Sequence, residues 1–155
     1  MLPKPTVYLL CGLPGSGKST CARELEKSGA FRLTLDEELF KRFGREFESG
    51  YEEKERATKE ELKMILLENM ATGRSVILDY GFWKKAARDE YRELIEQRGG
   101  ECKLLYFKVS SDELKKRLAF RNVTDQMNNH HIDETLLEKF IGEFEEPVGE
   151  GEILA

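Results

Sequence analysis

The sequence predicts an α/β domain built on a parallel sheet, and three observations carry that expectation. Short apolar segments with β-branched and aromatic content alternate with longer amphipathic ones along the chain. The first of the apolar segments runs into a glycine-rich turn, GLPGSGKST, that opens onto a helical stretch. At 155 residues the chain matches one domain and can bury a real core, so residues 1–155 are read as a single unit.

The elements follow in order. Thr6 to Cys11 (TVYLLC) is continuously apolar, as expected for a central buried strand. Lys18 to Ser28 reads as a helix that Gly29 ends in a left-handed cap. Phe31 to Leu35 is a second strand; Asp36 follows it and is placed to cap the helix Glu37 to Phe43, which stops near Gly44. Tyr51 to Ala71 is a long helix with a buried stripe of Leu62, Ile65, Leu66 and Met70, closed by Gly73. Ser75 to Asp79 (SVILD) is a third strand. Lys84 to Arg98 is a helix with Ala87, Tyr91, Leu94 and Ile95 on one face, ended by Gly99-Gly100. Lys103 to Val109 is a fourth strand, and Ser111 opens the helix DELKKRLAFRN, with Glu113 one position short of a capping box. Asn122 to His131 is polar and aperiodic, hence a loop. Ile132 to Phe144 is the last helix and EEPVGEGEILA an acidic tail.

Composition narrows the class. The net charge of −5 provides no global basic field for a nucleic-acid backbone, so a nucleic-acid partner is not favoured. Cys11, Cys21 and Cys102 are scattered without zinc spacing and read as reduced thiols of a cytoplasmic protein. No apolar stretch is long enough for a membrane span, and the first one is too short for a signal-peptide core. The sequence names no protein partner.

The turn fits G-x-x-x-x-G-K-[ST], a phosphate-binding loop over Gly12, Leu13, Pro14, Gly15, Ser16, Gly17, Lys18, Ser19 and Thr20. Glycine is required because backbone N–H groups must approach phosphates with no Cβ in the way. The following helix adds its positive N-terminal end. Lys18 is expected to reach the β- and γ-phosphates, Ser19 to ligate Mg²⁺, and Thr20 to touch the α-phosphate.

A bound triphosphate leaves the chemistry open. No Asn-Lys-x-Asp stretch reads guanine, which argues against a GTPase switch. Asp79 ends the third strand and is a second candidate metal carboxylate, but Tyr80-Gly81-Phe82 follow it instead of a water-activating Glu. Asp36 is placed either to accept the proton of an attacking hydroxyl or simply to cap its helix. Arg117 and Arg121 share one helix face at i,i+4, and Arg121 leads into the polar loop, a candidate lid over residues 120–132. A guanidinium there would stabilise charge on a migrating phosphoryl group, although a solvated face accounts for neighbouring Lys115 and Lys116.

The pattern GLPGSGKST, LTLD, VILDYGFW, ELKKRLAFRN and LLEKFIGEFEEP resembles the P-loop kinase superfamily. Within it, the branch of bacteriophage-type polynucleotide kinases, zeta toxins, chloramphenicol phosphotransferase and small ATP-binding proteins is most similar. The resemblance implies a three-layer P-loop NTPase fold with strand order 2-3-1-4, sometimes with a short fifth strand. It also implies ATP with Mg²⁺ and transfer of the γ-phosphate to a hydroxyl. By position, Lys18 and Ser19 become the nucleotide and metal residues, Asp36 the general base, Asp79 the second-strand carboxylate, Arg121 the lid arginine, and Arg117 a residue beside the nucleotide. Polynucleotide kinases carry a phosphate-binding arginine three residues after the base, where this chain has Leu39. The expectation is therefore a phosphotransferase acting on a small-molecule or nucleotide-like hydroxyl. A polynucleotide or nucleoside kinase is one alternative. An ATP-binding regulatory module with little hydrolysis is another.

Overall fold

The strand that feeds the glycine loop lies at the middle of the sheet, and the rest of the molecule is arranged around it. A computed structural model describes residues 3–44, 51–124 and 132–155, with the backbone alone at 51 and 121–124. Among these residues β1 (Thr6–Cys11), β2 (Phe31–Leu33), β3 (Val76–Gly81), β4 (Glu101–Tyr106) and β5 (Ile153–Leu154) form one parallel sheet in the order β2-β3-β1-β4-β5. The helices are α1 (Lys18–Lys27), α2 (Leu35–Phe43), α3 (Tyr51–Ala71), α4 (Lys85–Gln97), α5 (Ser111–Thr124) and α6 (Glu134–Glu143).

Both faces of the sheet are covered, which is why its central strands read as near-continuous apolar runs rather than alternating. On one face Val7, Leu9, Val76, Leu78 and Leu104 meet Leu35 and Leu39 of α2, Leu62, Leu66 and Met70 of α3, and Tyr91 and Ile95 of α4. On the other, Leu10, Ile77 and Phe107 meet Ala22 of α1. A third cluster joins Leu13 of the glycine loop to Leu114 and Leu118 of α5 and Leu137 of α6. Each such buried aliphatic side chain contributes about 1.5–3 kcal/mol of transfer free energy.

The element boundaries shift in places. β2 ends at Leu33, Thr34 takes the N-cap position and α2 begins at Leu35, so Asp36 lies in the first helical turn and is not its cap. Leu35 and Leu39 are four residues apart and turn into the core together, which starts the helix early. Asp36, Glu37 and Glu38 then complement its positive end. For α5 the cap is Ser110 and not Ser111: the Glu113 N–H donates to Ser110 Oγ at 3.2 Å, which restores the S-x-x-E spacing.

α5 continues through Thr124, so Arg121 and Asn122 are helical and do not begin a loop. The rest of the candidate lid, residues 125–131 with His130 and His131, lies outside the described residues. α6 starts later than its sequence pattern, at Glu134. Asp133 caps it by accepting from the Leu136 N–H at 2.8 Å, and Ile132 packs into the cluster of Leu137 as a hydrophobic staple. The short fifth strand forms: Ile153 and Leu154 pair with Leu105 and Tyr106.

Candidate nucleotide site

Between β1 and α1 the chain turns back on itself with little room for side chains. A Cβ on Gly12 would lie 2.6 Å from Ser16 Oγ and 3.1 Å from Phe107 Cβ, so only glycine fits. Gly15 and Gly17 are left-handed, with φ of 83° and 103°. Gly17 occupies the N-cap of α1 and no side chain caps that helix, so its first-turn N–H groups are offered to an anion. Leu13 anchors the loop in the cluster of α5 and α6.

Lys18 bends back over the loop. Its Nζ donates to the carbonyls of Gly12 and Leu13, both at 2.9 Å, and to Ser16 Oγ at 3.5 Å. The ammonium is therefore held at the mouth of the cradle by acceptors that phosphate oxygens can replace. Ser19 and Thr20 are exposed in the first turn of α1, and Ser16 is buried. Arg117 reaches the loop from α5: its Nη1 donates to Gly15 O at 3.2 Å and its Nε to Glu113 Oε1 at 3.1 Å. Arg121 follows one turn later on the same helix, and its side chain lies outside the described residues.

Asp79 stands on β3, between the strand that feeds the loop and β2, the strand that leads to Asp36. It is engaged by a residue the sequence did not single out. Arg32 of β2 donates from Nη2 to Asp79 Oδ2 at 2.7 Å, and its Nη1 lies 3.8 Å from Glu37 and 4.0 Å from Glu26. Burial works most strongly against the charge of Arg32, but the hydrogen bond to Asp79 and the attraction of Asp79, Glu37 and Glu26 together outweigh it, and the net shift is upward. Its Nε is buried without a hydrogen-bond partner. The only sequence signal was a charged residue in an otherwise apolar strand, FRL.

The site's donor set fits a magnesium–nucleotide complex. No group of three or more His, Cys, Asp or Glu gathers among the described residues. Mg²⁺ held with substrate phosphates needs only one or two protein oxygens, and the Ser19 hydroxyl and the Asp79 carboxylate are the groups that would hold it.

Phe82 and Trp83 divide their roles. Phe82 is buried, stacked on Tyr80 at 5.5 Å and edge-on to Tyr91 at 5.4 Å. Trp83 lies against Phe140 of α6 at 4.8 Å, and its Nε1 donates to Gly12 O at 3.2 Å. Leu39 is buried in the core beneath α2.

A parallel sheet in this order, with a glycine loop between its central strand and the first helix, defines the P-loop kinase fold. The profile of the family described as AAA domain matches residues 7–147, and the chain belongs to that family. A search of the curated proteins finds no match to the sequence. Solved structures of similar fold include three that illustrate the range. A gluconokinase from Sinorhizobium meliloti 1021 aligns over 98% of this chain and 82% of its own, with 19% identity and a TM-score of 0.63. Chaetomium thermophilum Kti12, in complex with ADP-AlF3, aligns over 96% and 88%, with 18% identity and a TM-score of 0.68. A chain of the Pnkp1/Rnl/Hen1 RNA repair complex aligns over 92% and 45%, with 20% identity and a TM-score of 0.71. No helix among the described residues is long and apolar enough to cross a membrane.

Proposed function

We propose that this protein transfers the γ-phosphate of Mg²⁺-ATP to a hydroxyl of a small molecule. One observation carries the reading: the uncapped N-terminus of α1 and the Lys18 ammonium form an anion cradle, and Asp36 lies in the first turn of α2, which follows β2 two strands away, with Asp79 on the strand between them. Lys18 draws charge from the migrating phosphoryl group, Arg117 brings a guanidinium from α5 to the loop, and Arg121 takes the role of the lid arginine that shares this charge. Asp36 accepts the proton of the attacking hydroxyl. Ser19 and Asp79 would hold Mg²⁺, whose chemistry there would be to neutralise charge on the nucleotide's phosphates.

The acceptor side favours a compact substrate over a polyanion. Asp36, Glu37 and Glu38 crowd the first turn of α2, Arg32 is engaged with Asp79, and Leu39 is in the core. A nucleic-acid strand would meet like charge there, which adds to the overall charge of −5.

The test is γ-labelled ATP incubated with pooled hydroxyl metabolites and with 5′-hydroxyl oligonucleotides. Label in a small acceptor is expected. Label in the oligonucleotide would make this a polynucleotide kinase, and label only in inorganic phosphate, or nowhere, would make it a nucleotide-binding module. Lys18→Ala should lose ATP binding. Asp36→Ala should keep it and lose roughly 10²–10⁴-fold in transfer, the usual worth of a general base. Unimpaired transfer by Asp36→Ala would remove Asp36 from the mechanism.

A further inference from the structure

The acidic tail closes over the end of β3 and buries a charge pair there. Arg88 of α4 and Glu150 of the tail have side chains only 1% and 5% exposed. They form a bidentate pair: Arg88 Nε donates to Glu150 Oε1 at 2.8 Å, and Nη2 to Oε2 at 3.0 Å. The third guanidinium nitrogen, Nη1, donates to the carbonyl of Phe82 at 2.8 Å. Cys11 Sγ, at the end of β1, donates to the same carbonyl at 3.4 Å.

That carbonyl belongs to an unusual piece of backbone. Phe82 has φ of 45°, a conformation bulky residues adopt only when their surroundings enforce it. Gly81, just before it, is also left-handed, at φ 82°. A Cβ on Gly81 would come within 3.1 Å of Trp83 Nε1, so the turn is built around that indole. Trp83 in turn donates to Gly12 O, and Gly12 N donates to Gly81 O at 3.0 Å. The tail holds the other side of Trp83, whose carbonyl accepts from the Glu145 N–H at 2.8 Å.

We infer that Arg88 and Glu150 are positioning residues for the phosphate loop: through the Phe82 carbonyl they hold the strained turn that sets Trp83 on the first loop glycine. A salt bridge this deep is weak evidence of a stabilising role, because apolar residues of similar size often replace such pairs without loss. What an apolar pair could not supply is a fixed donor to the Phe82 carbonyl. Gly12 O accepts from both Trp83 and Lys18, so the orientation of this peptide bears on the ammonium that faces the nucleotide.

The inference rests on the loop being the nucleotide site, and the experiment separates the two. Trp83 is the only tryptophan, so its indole N–H is a single, assignable probe in the nucleotide-free protein. The key variant is the double substitution Arg88→Met with Glu150→Leu, which fills the space and removes the donor. Arg88→Lys is the second, keeping the charge beside Glu150 but lacking the planar fork that reaches the carbonyl as well. Leu66→Ala, in the core under α3, is the control for stability alone.

In both Arg88 variants the indole N–H should exchange faster, and ATP affinity should fall about tenfold to a hundredfold, the worth of one charge-assisted hydrogen bond. Leu66→Ala should change the melting temperature and leave both readouts as in wild type. A folded variant of either kind with wild-type indole protection and ATP affinity would overturn the inference. If the wild type binds no ATP, the nucleotide reading fails, and indole exchange alone still decides whether Arg88 and Glu150 hold Trp83 in place.

Discussion

Separating Arg32 from Asp79 should destabilise the domain and sharpen its response to Mg²⁺. The closest atoms are 2.7 Å apart, and the side chains are 17% and 7% exposed, so the pair is shielded but not sealed from water. With about 4 Å between charge centres and an effective dielectric near 20, the attraction is about 4 kcal/mol. Desolvation offsets part of it, so removing one partner should cost ~2–3 kcal/mol, below the 3–5 of a fully buried pair. For a domain of this size that lowers Tm by about 4–12 °C. Arg32→Gln and Asp79→Asn should each show this loss in urea titrations. The double variant should lose about as much as either single one, leaving a coupling of ~2 kcal/mol. Arg32→Gln should also increase the stabilisation by added Mg²⁺-ADP, because the guanidinium no longer shares the carboxylate. Additive single losses, or an Arg32→Gln protein with a weaker Mg²⁺ response than wild type, would refute the assignment of Asp79 as a carboxylate held by Arg32 and shared with metal.

Two further outcomes follow from the loop and the thiol beneath it. Gly12→Ala places a methyl group 2.6 Å from Ser16 Oγ and 3.3 Å from the Phe107 carbonyl, and calorimetric titration should show ATP affinity down by at least tenfold at a stability cost of about 1–3 kcal/mol. Burial pushes the Cys11 thiol from its ordinary 9.0 up to about 11. The unfolded chain therefore ionises first, and the benefit of a neutral folded thiol is complete below pH 9 and lost as pH rises toward 11. The advantage of wild type over Cys11→Ala in urea titrations should accordingly shrink between pH 8 and pH 10, by on the order of 1 kcal/mol.

The parallel sheet and the loop were legible because each has a local signature, whereas the strand order came from the resemblance to the P-loop kinase superfamily. Thr6–Cys11 is a run of apolar residues, and the fixed glycine, lysine and serine positions of GLPGSGKST leave little freedom. Tyr51–Ala71 matches its sequence expectation, its second half marked by the stripe of Leu62, Ile65, Leu66 and Met70 and its close by Gly73. Short elements were less well defined. β2 lost two residues to α2 when Leu35 joined Leu39 in the core, and no local rule weighs a strand end against a helix start at that point. α5 overran its polar end because helix propensity falls only gradually through Asn122 to Thr124.

The charged pairs around the site had no such signature. Arg32 and Asp79 are 47 residues apart and Arg88 and Glu150 are 62 apart, so neither pair has a spacing that marks it. Arg88 lies on the helix face that carries Tyr91 and Ile95, where charge reads as solvated until the tail is seen to cover it. Both arginines act on one stretch of chain. Arg32 holds the carboxylate of Asp79 from the β2 side, and Arg88 holds the carbonyl of Phe82 from the α4 side, three residues further on. The segment Asp79 to Trp83 is thereby fixed at both ends between the glycine loop and β2, the strand that leads to Asp36. A donor and an acceptor must be held in line for phosphoryl transfer, and a misplacement of about 1 Å can cost 10²-fold. Clamping the strand end that lies between them limits that error, so residues that touch neither substrate are expected to govern the rate.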